Sequence, residues 1–96
     1  MEIQWTEYMK YRLNLRNFDM ARVEDVLRFS IERYWDSMHH RRVVIGRCDK
    51  TLVLVPYDEE GKIFIPITIH ATNRKQIQYR IKIGRFKDES SSNEIF

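Results

Sequence analysis

Three apolar runs rich in β-branched residues lie close together in the middle of this chain, and they constrain the fold more than any other feature. They are Arg42-Val43-Val44-Ile45-Gly46-Arg47, Thr51-Leu52-Val53-Leu54-Val55-Pro56 and Ile63-Phe64-Ile65-Pro66-Ile67-Thr68-Ile69. Runs of this length and type read as strands. Cys48-Asp49-Lys50 separates the first two as a hairpin turn, and Asp58-Glu59-Glu60-Gly61 reads as a second turn before the third. Parallel neighbours need a crossover of about a dozen residues, and breaks this short leave no room for one. The reading is an antiparallel meander, with Gly61 able to take the φ > 0 that a tight turn asks for. Pro66 cannot donate to a ladder, so it is expected at an open edge or at a bulge.

Helical signals lie upstream. Ile3-Gln4-Trp5 is a candidate short first strand. Thr6 has the character of a helix N-cap, and Glu7 places a carboxylate at the positive end of the helix dipole. Tyr8, Tyr11, Leu15 and Phe18 follow at spacings of three and four, which is a helical stripe. Asp19 is a second N-cap, with Phe18 and Val23 placed as a hydrophobic staple. Val23, Val26, Leu27, Ser30, Ile31 and Tyr34 mark one face of a second helix. The short break makes the two a helical hairpin. The expected core, in a single cluster, is Val23, Val26, Leu27, Ile31, Val44, Leu52, Leu54, Ile67 and Ile69.

Periodicity leaves the segment after Thr72 open. Ile77, Tyr79, Ile81 and Ile83 alternate with polar residues, as in a strand. Thr72 is equally a good N-cap, and Ile77, Ile81 and Gly84 share a helical face.

The chain has 96 residues, 43% apolar and 32% charged, which fits one domain. No apolar run approaches the roughly 18 residues of a membrane span. The Met1-Glu2-Ile3-Gln4-Trp5 start lacks the basic and apolar regions of a secretory signal. A cytoplasmic domain without a membrane anchor is therefore expected. The single cysteine, Cys48, excludes an internal disulfide, and its neighbours Arg47 and Lys50 are of the kind that lower a thiol's pKa.

Charge is unevenly distributed. Residues 61–87 hold seven basic residues and no acidic ones: Lys62, Arg74, Lys75, Arg80, Lys82, Arg85 and Lys87. A concentrated basic surface attracts polyanions, nucleic acid foremost. Of the three histidines, His39 and His40 sit in what reads as a solvated polar loop, where adjacent side chains point apart and do not converge on a metal. His70 closes the third strand just before the basic segment. Cleaving RNA needs a base for the 2′-OH, an acid for the leaving 5′-oxygen and cations for the phosphorane. His70 can supply acid–base chemistry, with Arg74 and Arg85 as the cations. Lys75, Tyr79, Arg80, Lys82 and Lys87 are candidate nucleic-acid contacts. No metal site or cofactor motif is evident.

The order of these pieces resembles a known family. A Trp-containing start, two helices, the strand Arg42-Val43-Val44-Ile45-Gly46-Arg47, the apolar Leu52-Val53-Leu54-Val55 and the strand end Thr68-Ile69-His70-Ala71-Thr72-Asn73-Arg74 look like the BrnT-type toxins of bacterial toxin–antitoxin systems, within the RelE-like fold. The similarity covers most of residues 3–86. It extends to bacterial and archaeal relatives that share Thr68-Ile69-His70 and an Arg80…Gly84-Arg85-Phe86 terminus. His70 stands where the BrnT toxins carry Ser at the strand end, and Thr72 where they carry Arg. The resemblance implies a metal-independent ribonuclease, a DNA-binding antitoxin protein as partner, no cofactor, and a basic helix after Thr72.

The combined expectation is a single α+β, RelE-like domain over residues 1–87, followed by a disordered polar tail at 88–96. A helical hairpin packs on a three- to four-stranded, mostly antiparallel sheet, with a C-terminal basic helix. Its expected function is that of an RNA-cleaving toxin. The alternatives are a non-catalytic RNA-binding or protein-interaction module on the same fold, and a structural partner whose basic face docks an acidic protein. If the basic block binds RNA through phosphates, affinity falls with salt at a log–log slope of roughly −0.7 per neutralised phosphate. Reversing Arg80 and Lys82 to Glu weakens that binding whatever the RNA sequence. No binding at about 50 mM salt would remove the RNA reading.

Overall fold

The computed structural model describes residues 1–89. Its elements are β1 (Glu2–Ile3), α1 (Glu7–Leu15), α2 (Met20–Phe29), β2 (Arg33–Asp36), β3 (Arg41–Cys48), β4 (Thr51–Glu60), β5 (Ile63–Pro66), β6 (His70–Ala71), α3 (Arg74–Lys82) and β7 (Phe86–Asp88). The class is α+β. The sheet is mixed and runs β1-β5-β4-β3-β2-β7, with β6 also paired to β4. It is therefore wider than the three or four strands expected. The additional strands are two to four residues long, too short to carry a period. None of the described helices is long and apolar enough to cross a membrane.

The central hairpin forms as the turn residues dictate. β3 and β4 pair antiparallel from Arg42↔Tyr57 to Cys48↔Thr51, leaving Asp49-Lys50 as the turn with Asp49 at φ 56°. β4 continues to Glu60 and pairs with Ile63, so Gly61-Lys62 closes the next hairpin with Gly61 at φ 61°. The third run does not form one strand. Tyr57 pairs with Pro66 and Leu54 with His70, so Ile67, Thr68 and Ile69 oppose only Val55 and Pro56. One extra residue makes this a β-bulge beside two prolines, neither of which has an N–H for the ladder. β1 pairs parallel to β5 and covers its outer edge.

Both early caps form. Thr6 Oγ1 accepts from the Met9 N–H at 3.1 Å, and Asp19 Oδ1 from the Ala21 N–H at 3.0 Å. α1 ends in a Schellman turn, with Asn17 at φ 58° and the Phe18 N–H donating to the Leu13 carbonyl at 2.9 Å. Its inner face is not the expected stripe. Met9 and Leu13 are buried, whereas Tyr8, Tyr11 and Leu15 are exposed. α2 ends at Phe29, earlier than its periodicity suggests. The Arg33 guanidinium donates to the Leu27 and Ser30 carbonyls at the end of α2 and to the Tyr57 hydroxyl. A cation on these terminal carbonyls stabilises the stop. Tyr34 consequently lies in β2, and Ile31 is 89% exposed and not in the core.

The sheet is covered on both faces, which splits the expected single core. α1 and α2 pack with Val44, Val53, Val55, Tyr57 and Ile69 on one face. Ile77 of α3 and Phe86 pack with Val43, Ile45, Leu52 and Leu54 on the other. Strands buried on both faces read as continuous apolar runs, which is what β3 and β4 show. Ile67, at the bulge, is only half-buried. Ordered strand continues through Asp88, which pairs with Tyr34. Residues 90–96 of the expected tail lie outside the described residues.

Gly46 lets α2 approach the sheet. A Cβ there would lie 2.7 Å and 2.8 Å from the two methyl carbons of Val26. Gly46→Ala is expected to cost about 1–3 kcal/mol through overpacking, and Val26→Ala in the same chain should recover part of it. Leu27→Ala, at a fully enclosed side chain, should cost about 2–5 kcal/mol. Urea denaturation checks all three, and a Leu27→Ala loss under about 0.5 kcal/mol would show that α2 packs differently.

Candidate functional site

The site is assembled at one end of the sheet, on the α3 face, from three local structures. The first is the β2–β3 turn. Asp36, the last residue of β2, accepts from the backbone N–H of Met38 at 3.0 Å and of His39 at 3.4 Å. This side-chain-to-backbone turn, with His40 at φ 52°, folds the His39 ring back onto the carboxylate. His39 Nδ1 lies 2.9 Å from Asp36 Oδ2. When Nδ1 carries a proton, that N–H donates to the carboxylate and Nε2 is left for the cleft.

The second is the end of α3. The ambiguous segment is a helix, and its N-cap is Asn73 rather than Thr72: Asn73 Oδ1 accepts from the Gln76 N–H at 2.9 Å. Gly84 takes φ 82°, and the Arg85 N–H returns to the Arg80 carbonyl at 2.9 Å, a second Schellman turn. This reversal brings Arg85 back toward the sheet. Its Nε and Nη2 each lie 3.1 Å from Asp36, one on each oxygen. The Ser37 N–H donates to the Arg85 carbonyl at 2.8 Å, tying the two turns together. Arg80 and Arg85 both lie over the Phe86 ring, at 5.7 Å and 5.5 Å from its centre, a favourable place for a guanidinium.

The third is β6. After the bulge, His70 pairs with Leu54, whose side chain belongs to the core on the α3 face. A cavity of about 230 Å³ opens there, with Asp36, His39, His70, Gln76, Arg80 and Arg85 among its walls. A second, of about 170 Å³, adjoins it over Pro56 and extends toward Arg41 and Ile67. Asp36, His39, Pro56 and His70 line both. The two form one cleft with one imidazole from the β2–β3 turn and one from β6.

Electrostatics differ across the cleft. Asp36 is 3% exposed. Burial alone would raise its pKa, but the hydrogen bonds from Arg85, His39 and the Met38 N–H, together with the Arg85 charge, hold it well below the usual carboxylate range. His70 is shifted below its ordinary value by partial burial and by the positive charges of Arg12, Arg16 and Arg80. Its ring is therefore neutral at neutral pH. Cys48 does not follow its basic neighbours: burial and the nearby Asp49 push the thiol up.

Of the residues singled out from sequence, His70, Arg80 and Arg85 meet in the cleft. Arg74 does not line it, because its Nη1 lies 2.8 Å and 2.7 Å from the two Glu32 oxygens. Lys75, Tyr79 and Lys82 are exposed on α3, and Lys87 on β7. Asp36, His39 and Gln76 were not anticipated. The Asp-x-x-His spacing of Asp36 and His39 is the one available signal, since Asp readily bonds backbone two residues on. Among the described residues, no three of His, Cys, Asp and Glu gather in a way that could hold a metal ion.

Because its folded pKa is depressed, Asp36 contributes stability above its unfolded value, and that contribution is lost as pH falls through the folded one. Asp36→Asn should cost roughly 3–5 kcal/mol at pH 7, since Arg85 loses a buried counter-ion. The gap to wild type should narrow as pH is taken below about 4. Melting curves against pH check this, and a gap independent of pH would show that Asp36 is not held as a carboxylate. Compared with known proteins, the chain matches no family model, no curated protein and no solved structure, so the site's own chemistry carries the functional argument.

Proposed function

We propose that this chain is a metal-independent ribonuclease of the RelE-like, BrnT-type toxin class, acting on RNA in the cytoplasm and neutralised by an antitoxin protein. One observation carries the catalytic part: two imidazoles, His39 and His70, line a single cleft together with Arg80 and Arg85. The toxin and antitoxin part rests on the resemblance of the Arg42–Arg47 strand and the Thr68-Ile69-His70 strand end.

The chemistry follows from the charge states. His70, kept neutral by its surroundings, takes the proton of the RNA 2′-OH. The 2′-oxygen attacks phosphorus, and the bond from phosphorus to the 5′-oxygen breaks. His39 acts in its doubly protonated form: with the Nδ1–H on Asp36, it gives the leaving oxygen the Nε2 proton and is left as the neutral ring. Arg80, which has no carboxylate partner among the described residues, stabilises the negative charge on the phosphorane. Arg85 spends its Nε and Nη2 on Asp36 and mainly positions that carboxylate. The product is a 2′,3′-cyclic phosphate and a 5′-hydroxyl.

His70→Ala and His39→Ala should each lower the cleavage rate by on the order of 10²–10⁴. Cleavage should persist in EDTA. Wild-type activity should decline as pH falls and His70 becomes protonated, with the midpoint below the ordinary histidine value. His70→Ala should remove that decline. If His70→Ala protein cuts RNA as fast as wild type, His70 is not the base. If EDTA abolishes cleavage and Mg²⁺ restores it, the metal-free mechanism is wrong. RNA binding without any cleavage would leave the non-catalytic module on the same surface.

A further inference from the structure

The arginines of this chain fall into three groups. Arg22, Arg28, Arg41, Arg42, Arg74 and Arg85 each sit on a carboxylate. Arg33 and Arg47 donate to backbone carbonyls. The remaining three, Arg12, Arg16 and Arg80, have no carboxylate partner among the described residues, and they are the three cations that act on His70. Arg80 approaches from α3 on one face of the sheet. Arg12 and Arg16 approach from α1 on the other, one helical turn apart. Arg12 Nη2 donates to the carbonyl of Ile69, the residue before His70, at 3.0 Å. Its Nε is buried with no hydrogen-bond partner, so the guanidinium is only partly satisfied by the protein. Beside this pair, Tyr8 and Tyr11 are 56% and 59% exposed, with ring centres 6.4 Å apart. Tyr8 precedes Arg12 by four residues, so the two are neighbours on the helix surface.

We propose that Arg12 and Arg16 form a second phosphate subsite and Tyr8 and Tyr11 an adjoining base-stacking platform, so that single-stranded RNA passes from the cleft over the β6 edge onto α1. The inference rests on the ribonuclease reading for its ligand class. Its own content is the path. The basic block at residues 61–87 is one half of the binding surface, and the other half comes from α1, which lies in a stretch of balanced charge. Alternating cations and exposed aromatic rings are the usual platform for a single strand, with cations tracking phosphates and rings taking bases.

The test uses the full chain and a labelled 2′-O-methyl RNA of about 12 nucleotides, which covers a typical single-strand site and offers no 2′-OH for cleavage. Arg12→Gln/Arg16→Gln should weaken binding on the order of tenfold and reduce the salt slope by about 1.4, or 0.7 for each lost phosphate contact. Arg16→Gln alone, which removes no hydrogen bond to the protein, should reduce it by about 0.7 and guards against a folding defect in the double variant. Tyr8→Ala should weaken binding about fivefold or more with the slope unchanged. In Arg12→Gln/Arg16→Gln, the His70 ring followed by NMR should titrate closer to its ordinary value. If wild type binds and the arginine variants match it in affinity and slope, the α1 path is wrong while the cleft stands. If wild type does not bind RNA at all, both readings fall. If a polyglutamate peptide binds as tightly and with the same arginine dependence, the surface is a protein dock and the RNA path is overturned.

Discussion

The carboxylate of Asp36 is the point on which the candidate site depends. It is the one buried charged side chain among the described residues, and it accepts from the β2–β3 turn, from His39 and from Arg85. A buried anion is tolerated only when its lone pairs are filled and a counter-ion is at hand. Filling them folds the His39 loop back onto the end of β2 and brings in the reversal after α3, 49 residues away in sequence. The cleft between His39 and His70 is the space left where these segments meet the bulged β6 strand. The same contacts that satisfy Asp36 therefore decide where His39 points, while the pairing of His70 with Leu54 places the second imidazole.

The sheet supplies the rigid floor. β3 and β4 are buried on both faces, by α1 and α2 on one side and by α3 on the other. Close approach of α2 relies on the missing Cβ of Gly46. The α3 face is only partly filled, by Ile77 and Phe86, and the remaining space becomes the cavity. A small domain with two covered faces has few residues left for a closed core. Here the unfilled end of the second layer is lined with imidazoles and guanidiniums instead of apolar side chains. Polar groups placed at such a gap retain access to a ligand while the strands beneath hold them in place.

Legibility in the sequence followed local strength of signal. The caps at Thr6 and Asp19, the Asp49-Lys50 turn and the paired runs of β3 and β4 were readable because each is decided within a few residues, whereas Asp58, Glu59 and Glu60 read as turn and are strand, leaving only Gly61 of that run in the turn. Pro66 marked the bulge for the same reason. The stripe on α1 was misread: Tyr8, Tyr11 and Leu15 have a helical spacing, but Met9 and Leu13 occupy the inner face. Spacing identifies a helix and does not say which of two apolar stripes is buried. The end of α2 was missed because Arg33, which stops it, acts through the fold. Of the site, His70, Arg80 and Arg85 were legible from position and charge. His39 was set aside because two adjacent histidines in a loop look solvated. Arg74 was misplaced because its carboxylate partner, Glu32, is 42 residues away in sequence.

By itself the sequence determined the antiparallel hairpin of β3 and β4, the two capped helices upstream and the basic character of residues 61–87. These depend on backbone preferences, turn chemistry and net charge, all of which act over short range or without regard to geometry. Only the tertiary structure decided that α3 lies on the opposite face from α1 and α2, that short edge strands widen the sheet, and that Asp36 draws His39 and Arg85 together. Only it left Arg12, Arg16 and Arg80, among eleven arginines, without a carboxylate among the described residues and acting on His70. Pairing of charges across a fold depends on distances between segments that are remote along the chain, and those distances exist only after the sheet has closed.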